Sequence, residues 1–124
     1  MQATEAVRVS YMLYPGFKKK MVFDTLLTSQ NKATDIEQWV SSYYGISTTK
    51  IKGNDRHRVV VLARHVAMYL IRKHTKMGLV AIGRRFSSRD HTSVIHACKA
   101  INNLIETEDS FRKQISHLEY KILQ

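Results

Sequence analysis

The sequence contains few residues that interrupt helices and almost none that could cross-link the chain. It has one proline, five glycines and one cysteine in 124 residues. A single cysteine excludes an internal disulfide and is typical of a reducing, cytoplasmic setting. No apolar run approaches the roughly 18 residues of a membrane span, and acidic Glu5 precedes any apolar stretch. We therefore expect neither a membrane protein nor a secretory signal.

Negative charge is also scarce. Ten acidic residues face twenty lysines and arginines, for a net charge of +10 at pH 7. The excess is concentrated in residues 50–90, where eleven basic residues stand against Asp55 and Asp90, whereas four basic and four acidic residues follow position 90. Such clustering predicts attraction to a polyanion such as nucleic acid. The alternative from charge alone is a solvated basic surface without a partner.

Apolar residues make up 44% of the chain and recur at helical spacing, which predicts an all-α helical bundle. We expect a main domain over residues 34–124. Thr34 and Glu37 have capping-box spacing for its first helix, and Gly45 is a suitable C-cap. Residues 1–33 are predicted to be an N-terminal appendage, with a short strand at 7–13 and a short helix at 21–27.

Residues 79–107 have the form of a helix-turn-helix. Leu79, Ile82 and Phe86 mark one face of a two-turn helix, residues 87–89 form a tight connection, and a longer helix follows with Asp90 as its predicted N-cap. In such motifs the first residues of the second helix reach base edges in the major groove, and its later turns pack on the domain. Spacing alone also fits a plain helical bundle.

Residues 82–101, IGRRFSSRDHTSVIHACKAI, carry a more specific signal. They resemble the signature IGxxFGGRDHTTVxHACxxI of the C-terminal DNA-binding domain of the bacterial replication initiator DnaA. Upstream, residues 61–70, VLARHVAMYL, are similar to the family's ARxRQxAMYL helix, and residues 36–52 resemble the segment before it. The resemblance covers about residues 34–120, and it implies a helix-turn-helix that binds double-stranded DNA at a DnaA-box-like site.

The resemblance also implies roles for individual residues. Arg56, with Arg58 beside it, is expected to enter the minor groove. Major-groove reading falls to Asp90, His91 and Thr92, with Arg89 just before them. The phosphate-binding group implied by the family is Arg64, His65, Arg72, the backbone amides of Leu79 and Val80, and Ser93.

The sequence departs from the family pattern at several positions. Ser87 and Ser88 replace two glycines, Val80 stands where proline is frequent, His65 replaces glutamine and Ser93 replaces threonine. None of these changes removes a predicted base-reading residue. The changed turn predicts a slightly different backbone there, and the DNA target is not expected to be identical to a DnaA box.

No GxxxxGK[ST] phosphate loop occurs in the sequence, so we expect no nucleotide, no cofactor and no enzymatic activity. His91, His96 and Cys98 do not share one helical face, and a core cysteine is favoured over a metal site. Residues 1–33 are candidates for homodimerisation or for contact with a replication protein. The expected role is control of replication initiation or of transcription in the bacterial or phage cytoplasm, at the nucleoid. The alternatives are a protein-interaction module and a non-specific DNA-binding accessory of a phage or mobile element.

Overall fold

The computed structural model describes the backbone of residues 18–124 and the side chains of residues 28–124. The strand predicted at residues 7–13 lies outside the described residues. The described chain is helical throughout, which confirms the all-α prediction. Its helices are α1 Lys18–Tyr44, α2 Thr48–Lys52, α3 Arg58–His74, α4 Leu79–Arg85, α5 His91–Thr107 and α6 Asp109–Ile122.

Helix α3 forms the centre of the bundle. It packs against α1 on one side and α5 on the other, and α6 closes the domain against α5 and α1. Helix α6 packs through one apolar stripe, because Phe111, Ile115, Leu118 and Ile122 are all buried. The same core holds Phe86, the C-cap residue of α4, which is fully buried. The two helices of the helix-turn-helix are therefore fixed to the domain by apolar packing.

The first helix is longer than the sequence predicted. The capping-box spacing indicated that a helix begins at Thr34, but α1 runs from Lys18 to Tyr44 without a break. The Thr34 hydroxyl donates to the carbonyl of Gln30, one turn earlier, so Thr34 lies inside the helix. The reason is that no glycine or proline stands between residues 18 and 44. The predicted end is confirmed, since Gly45 follows the helix with a φ of 67°.

Glu37 has a different partner from the one its spacing suggested. Its side chain, 3% exposed, forms a two-point ion pair with Arg85 of α4, with Oε2–Nε and Oε1–Nη2 distances of 2.8 and 2.9 Å. The Arg85 guanidinium also donates to Gln30 Oε1 and Thr34 Oγ1. Lys52 Nζ lies 3.5 Å from Glu37 Oε1. This buried pair joins α1 directly to the first helix of the helix-turn-helix.

A second ion cluster joins the end of α3 to α6. Glu119 Oε2 lies 2.8 Å from Lys73 Nζ and 2.7 Å from His74 Nε2. Burial acts to raise the pKa of the Glu119 carboxyl, but the hydrogen bonds to Lys73 and His74 and their charges outweigh it and leave the pKa below its ordinary value. The carboxylate therefore stays charged and holds the two helices together at neutral pH.

We expect Glu37→Ala to lower the free energy of unfolding by about 3 kcal/mol, because it leaves the Arg85 charge partly buried without its partner. Urea or guanidinium denaturation of both proteins measures the difference. The matched control is Glu106→Ala, which removes an exposed carboxylate from α5 and should change stability by less than about 0.5 kcal/mol. Equal effects of the two substitutions would contradict the structural role of the pair.

Candidate nucleic-acid interface

The first turn of α5 projects polar side chains into solvent. Asp90 occupies the predicted N-cap position, with φ −65° and ψ 151°, but its side chain makes no capping hydrogen bond. Instead Asp90 Oδ1 lies 2.9 Å from His91 Nδ1, and the two side chains are 68% and 52% exposed. Thr92 and Ser93 are exposed as well. All four side chains can therefore be reached by a ligand.

Later turns of α5 face inward. Val94, Ala97 and Ile101 are fully buried in the core. Cys98 is half-buried against that core, and burial raises the pKa of its thiol, as expected for a packing residue. Helix α5 thus has a polar exposed beginning and an apolar anchored body, which is the polarity that a recognition helix needs.

The turn before α5 adopts a conformation that usually requires glycine. Ser87 and Ser88 have φ values of 61° and 53°, which lie in the left-handed region that is costly for residues with a side chain. The backbone amide of Arg89 then donates to the carbonyl of Gly83, at 2.9 Å. The turn therefore keeps a glycine-type geometry, although its sequence has two serines.

Gly83 allows the turn to close against α4. A Cβ built at this position would lie 2.2 Å from the carbonyl oxygen of Arg89, which is far inside van der Waals contact. Because the obstructing atom belongs to the backbone, a larger residue would displace the start of α5. This close approach therefore requires glycine at position 83.

Arg89 ties the turn to the loop that precedes α3. Its Nη1 donates to the carbonyl of Phe86 at 2.6 Å, and its Nη2 donates to the carbonyl of Gly53 at 2.8 Å. Asn54 Oδ1 lies 3.4 Å from the same nitrogen. Beside it, Ser87 Oγ donates to the carbonyl of Lys52 at 2.5 Å. The helix-turn-helix and the basic loop are therefore one hydrogen-bonded unit.

Arg64 also binds the backbone of residues 50–55, from the buried side of the loop. It is 4% exposed, and its guanidinium donates to three carbonyls: Nε to Ile51 at 2.7 Å, and Nη2 to Lys50 at 3.2 Å and Asp55 at 2.9 Å. Burial and the nearby Arg89 charge lower its pKa from the ordinary value. The structure thus directs the Arg64 guanidinium inward, whereas the family resemblance implied a phosphate contact.

The loop ends in a hydrogen-bonded contact between Asp55 and His57, which we call the clip, and it presents two arginines. Asp55 Oδ1 accepts from the backbone amide of His57 at 2.8 Å and lies 2.6 Å from its Nδ1. His57 is the N-cap of α3. Arg56 and Arg58, on either side of His57, are both exposed. The clip therefore fixes the backbone while both cationic side chains face solvent.

The remaining residues of the predicted site lie along α3 and α4. His65 is half-buried, and burial lowers the pKa of its imidazole, with Arg64 and Arg89 acting in the same direction. At pH 7 it is therefore a neutral hydrogen-bonding group. Arg72 is exposed and donates to the carbonyl of Met77 at 3.3 Å. At the start of α4, Leu79 is half-buried and Val80 is 53% exposed.

Sequence reasoning missed the residues that position the loop. Ser87 and Asn54 had no assigned role there, and Arg89 was expected only beside the base-reading residues. The signal was absent because these partners lie 35 or 36 positions apart in the chain, beyond the range of any helical or turn spacing. The arginine in RDHT was the one visible indication.

Two further negative findings hold for the described residues. No helix among them combines the length and apolar character that a bilayer span requires. Within the same part of the chain, no three histidine, cysteine, aspartate or glutamate side chains gather in a way that could hold a metal ion.

This combination of a short helix, a tight turn and a second helix with an exposed polar beginning defines a helix-turn-helix protein. Residues 33–101 match the model of the bacterial DnaA protein helix-turn-helix family. The chain belongs to that family.

Two known proteins illustrate the relationship. The chain is 41% identical over 88 residues to the chromosomal replication initiator protein DnaA of Streptococcus thermophilus, a match that covers 71% of this chain and 19% of that protein. A crystal structure of a DNA replication initiation factor superposes with a TM-score of 0.71 at 28% identity, covering 95% of this chain and 35% of the other. The chain thus spans about a fifth of the length of the Streptococcus protein.

We expect Gly83→Ala to lower the free energy of unfolding by about 2 kcal/mol. The clash with the Arg89 carbonyl should cost about 3 kcal/mol, and the better helix propensity of alanine should return up to about 1 kcal/mol. Thermal and denaturant unfolding provide the measurement.

Gly78→Ala is the control for this prediction, because a Cβ at Gly78 meets nothing within 4 Å. As an N-cap substitution it should cost less than about 1 kcal/mol. If the Gly83 variant were as stable as the Gly78 variant, the close approach of α4 and the turn would not be a constraint on the fold.

Proposed function

We propose that this chain binds double-stranded DNA in a sequence-specific manner, with the first turn of α5 in the major groove. The observation that carries this proposal is the exposure of Asp90, His91 and Thr92 at the beginning of a helix whose body is anchored in the core. The Asp90 carboxylate can accept from a cytosine amino group, and His91 can donate to a base acceptor. Thr92 can place its methyl group against a thymine methyl.

The flanking residues are assigned to the minor groove and the phosphates. We assign Arg56, supported by Arg58, to the adjacent minor groove, since the clip at Asp55 and His57 presents both side chains to solvent. Phosphate contacts, which fix the register without reading sequence, are assigned to His65, Arg72, Ser93 and the amides of Leu79 and Val80.

Arg64 and Arg89 receive a positioning role in this proposal. Their guanidinium groups are hydrogen-bonded to the backbone of residues 50–55 and of the turn. Both bring positive charge near the interface, which favours phosphate at long range. Their main contribution is to hold the minor-groove loop and the recognition helix in one fixed relation, because each guanidinium bonds directly to the loop.

The biological role we propose is occupancy of DnaA-box-like sites, in control of replication initiation or of transcription. The DnaA relationship and the absence of a phosphate-loop motif from these 124 residues support a DNA-binding role for this chain without ATP hydrolysis. Such a role places it in the cytoplasm with the chromosome. The proposed partner is duplex DNA, and residues 1–33 stay a predicted contact region for a second copy or a replication protein.

Selection of bound duplexes from a random pool tests the function. Enrichment of a DnaA-box-like sequence is the expected result. No enrichment would contradict sequence-specific binding and would favour non-specific DNA binding or a protein partner. A salt titration then separates those two, because each phosphate that a lysine or arginine neutralises weakens DNA binding by roughly 3.5-fold between 50 and 200 mM salt, whereas a contact through apolar surface does not weaken in this way.

His91→Ala and Thr92→Ala should each weaken binding to the selected duplex by about 1–3 kcal/mol and change binding to random duplex little. The physical reason is that base contacts carry the sequence information and contribute little to non-specific binding. Fluorescence anisotropy titrations with both duplexes measure the effect. Equal losses on the two duplexes would defeat the base-reading assignment.

Arg72→Ala is the contrasting variant, since a phosphate contact is made with any sequence. It should weaken binding to both duplexes alike and reduce the salt slope by about one. A loss confined to the selected duplex would remove Arg72 from the phosphate-binding group.

A further inference from the structure

A basic cleft lies between α1 and the connection from α3 to α4, and no residue of α5 lines it. Its volume is about 450 Å³, and its walls include Ser29 and Lys32 from α1, Lys73 and His74 from the end of α3, and Lys76 from the connection. Hydroxyl groups of Thr28 and Thr75 complete the lining. We call this feature the α1–α3 cleft. The lining residues thus include three lysines, one histidine and three hydroxyl residues, a composition suited to an anionic oxygen ligand.

The charge of the α1–α3 cleft is only partly compensated within the described residues. The Glu119 carboxylate pairs with Lys73 Nζ at 2.8 Å and with His74 Nε2 at 2.7 Å. Lys76 is exposed and Lys32 is half-buried, and no described carboxylate lies within 4.0 Å of either ammonium group. Within the described part of the chain, the ammonium groups of Lys32 and Lys76 are therefore the positive charges of the cleft that have no carboxylate partner.

The cleft is structurally continuous with the proposed phosphate contacts. The backbone amide of Lys76 donates to the buried hydroxyl of Ser29 at 3.2 Å, which fixes the connection to α1. The next residue, Met77, is buried and accepts from Arg72 at its carbonyl. Helix α4 begins two residues later, at Leu79. The connection that supplies Lys76 to the cleft therefore also contacts Arg72 and leads directly into α4.

We propose that the α1–α3 cleft binds the phosphodiester backbone of duplex DNA that flanks the sequence read by α5. This inference rests on the proposed function and extends it from the recognition site to the neighbouring DNA. The chemical class of the ligand is a phosphate diester held through Lys32 and Lys76.

The hydrogen bonding and charge of the cleft favour a continuous polyanion over a small free anion. The buried hydroxyl of Ser29 already accepts from the Lys76 amide, and the charges without a described partner are the ammonium groups of half-buried Lys32 and exposed Lys76. Such side chains act as point charges that follow a phosphate backbone and fix no single geometry. A tightly bound small anion instead needs rigid donors that converge on it.

The test compares two duplexes with the same selected site, one ending at the site and one extended by random sequence on both sides. The double variant Lys32→Ala/Lys76→Ala should behave like the parent protein on the short duplex. On the extended duplex its salt slope should fall by about two, since each lost phosphate contact changes the slope by roughly 0.9. Between 50 and 200 mM salt, the parent protein should therefore lose about tenfold more affinity than the variant.

Lys113→Ala/Lys121→Ala is the matched control, because it removes two exposed lysines of α6 that do not line the cleft. It should leave both slopes unchanged. Lys76→Ala alone, which alters a single exposed side chain, should reduce the slope on the extended duplex by about one. This single variant keeps the test decisive if the double variant unfolds.

Equal slopes for the parent protein and the double variant on the extended duplex would overturn the proposal. A second result would also overturn it. If inorganic phosphate shifts the nuclear magnetic resonance signal of the Lys76 amide in the parent protein but not in the double variant, and the salt slopes are unchanged, the cleft is a site for free anions. Failure of the parent protein to select any sequence would instead overturn the proposed function itself, and would be visible on the short duplex.

Discussion

The hydrogen bonds of Arg89 to the carbonyls of Phe86 and Gly53 are the contacts on which the geometry of the interface depends. One guanidinium group joins the turn of the helix-turn-helix to a loop that lies 36 residues earlier in the chain. Hydrogen bonds to a charged donor are stronger than those between neutral groups. This contact sets where the loop arginines stand relative to the recognition helix.

Arg64 supports the same arrangement at an electrostatic cost. Burial lowers the pKa of Arg64, and the nearby charge of Arg89 lowers it further. The three carbonyl acceptors of Arg64 offset its burial. Two arginines of the domain therefore donate their hydrogen bonds to its own backbone, whereas Arg56, Arg58 and Arg72 are exposed for contact with other molecules.

The sequence predicted the elements whose signals are local. The all-α character follows from apolar spacing, the end of α1 from Gly45, helices α4 and α5 from the pattern of residues 79–107, and the exposed first turn of α5 from the RDHT segment. The predicted start of α1 was wrong because Thr34 and Glu37 match a capping box by spacing. The partner of Glu37 in the structure is Arg85, 48 residues away. The inward orientation of Arg64 was equally invisible, since its acceptors at residues 50, 51 and 55 are brought near only by the fold.

The two serines of the turn have a consequence for how the domain assembles. An L-residue with a side chain rarely visits the left-handed region in an unfolded chain, so two such residues in succession are scarcely populated before folding. Docking of α4 and α5 in the core must therefore hold Ser87 and Ser88 in place. The corner between the two helices is therefore a product of the assembled domain: burial of Phe86 and Val94 in the core stabilises a turn that the isolated segment would seldom adopt.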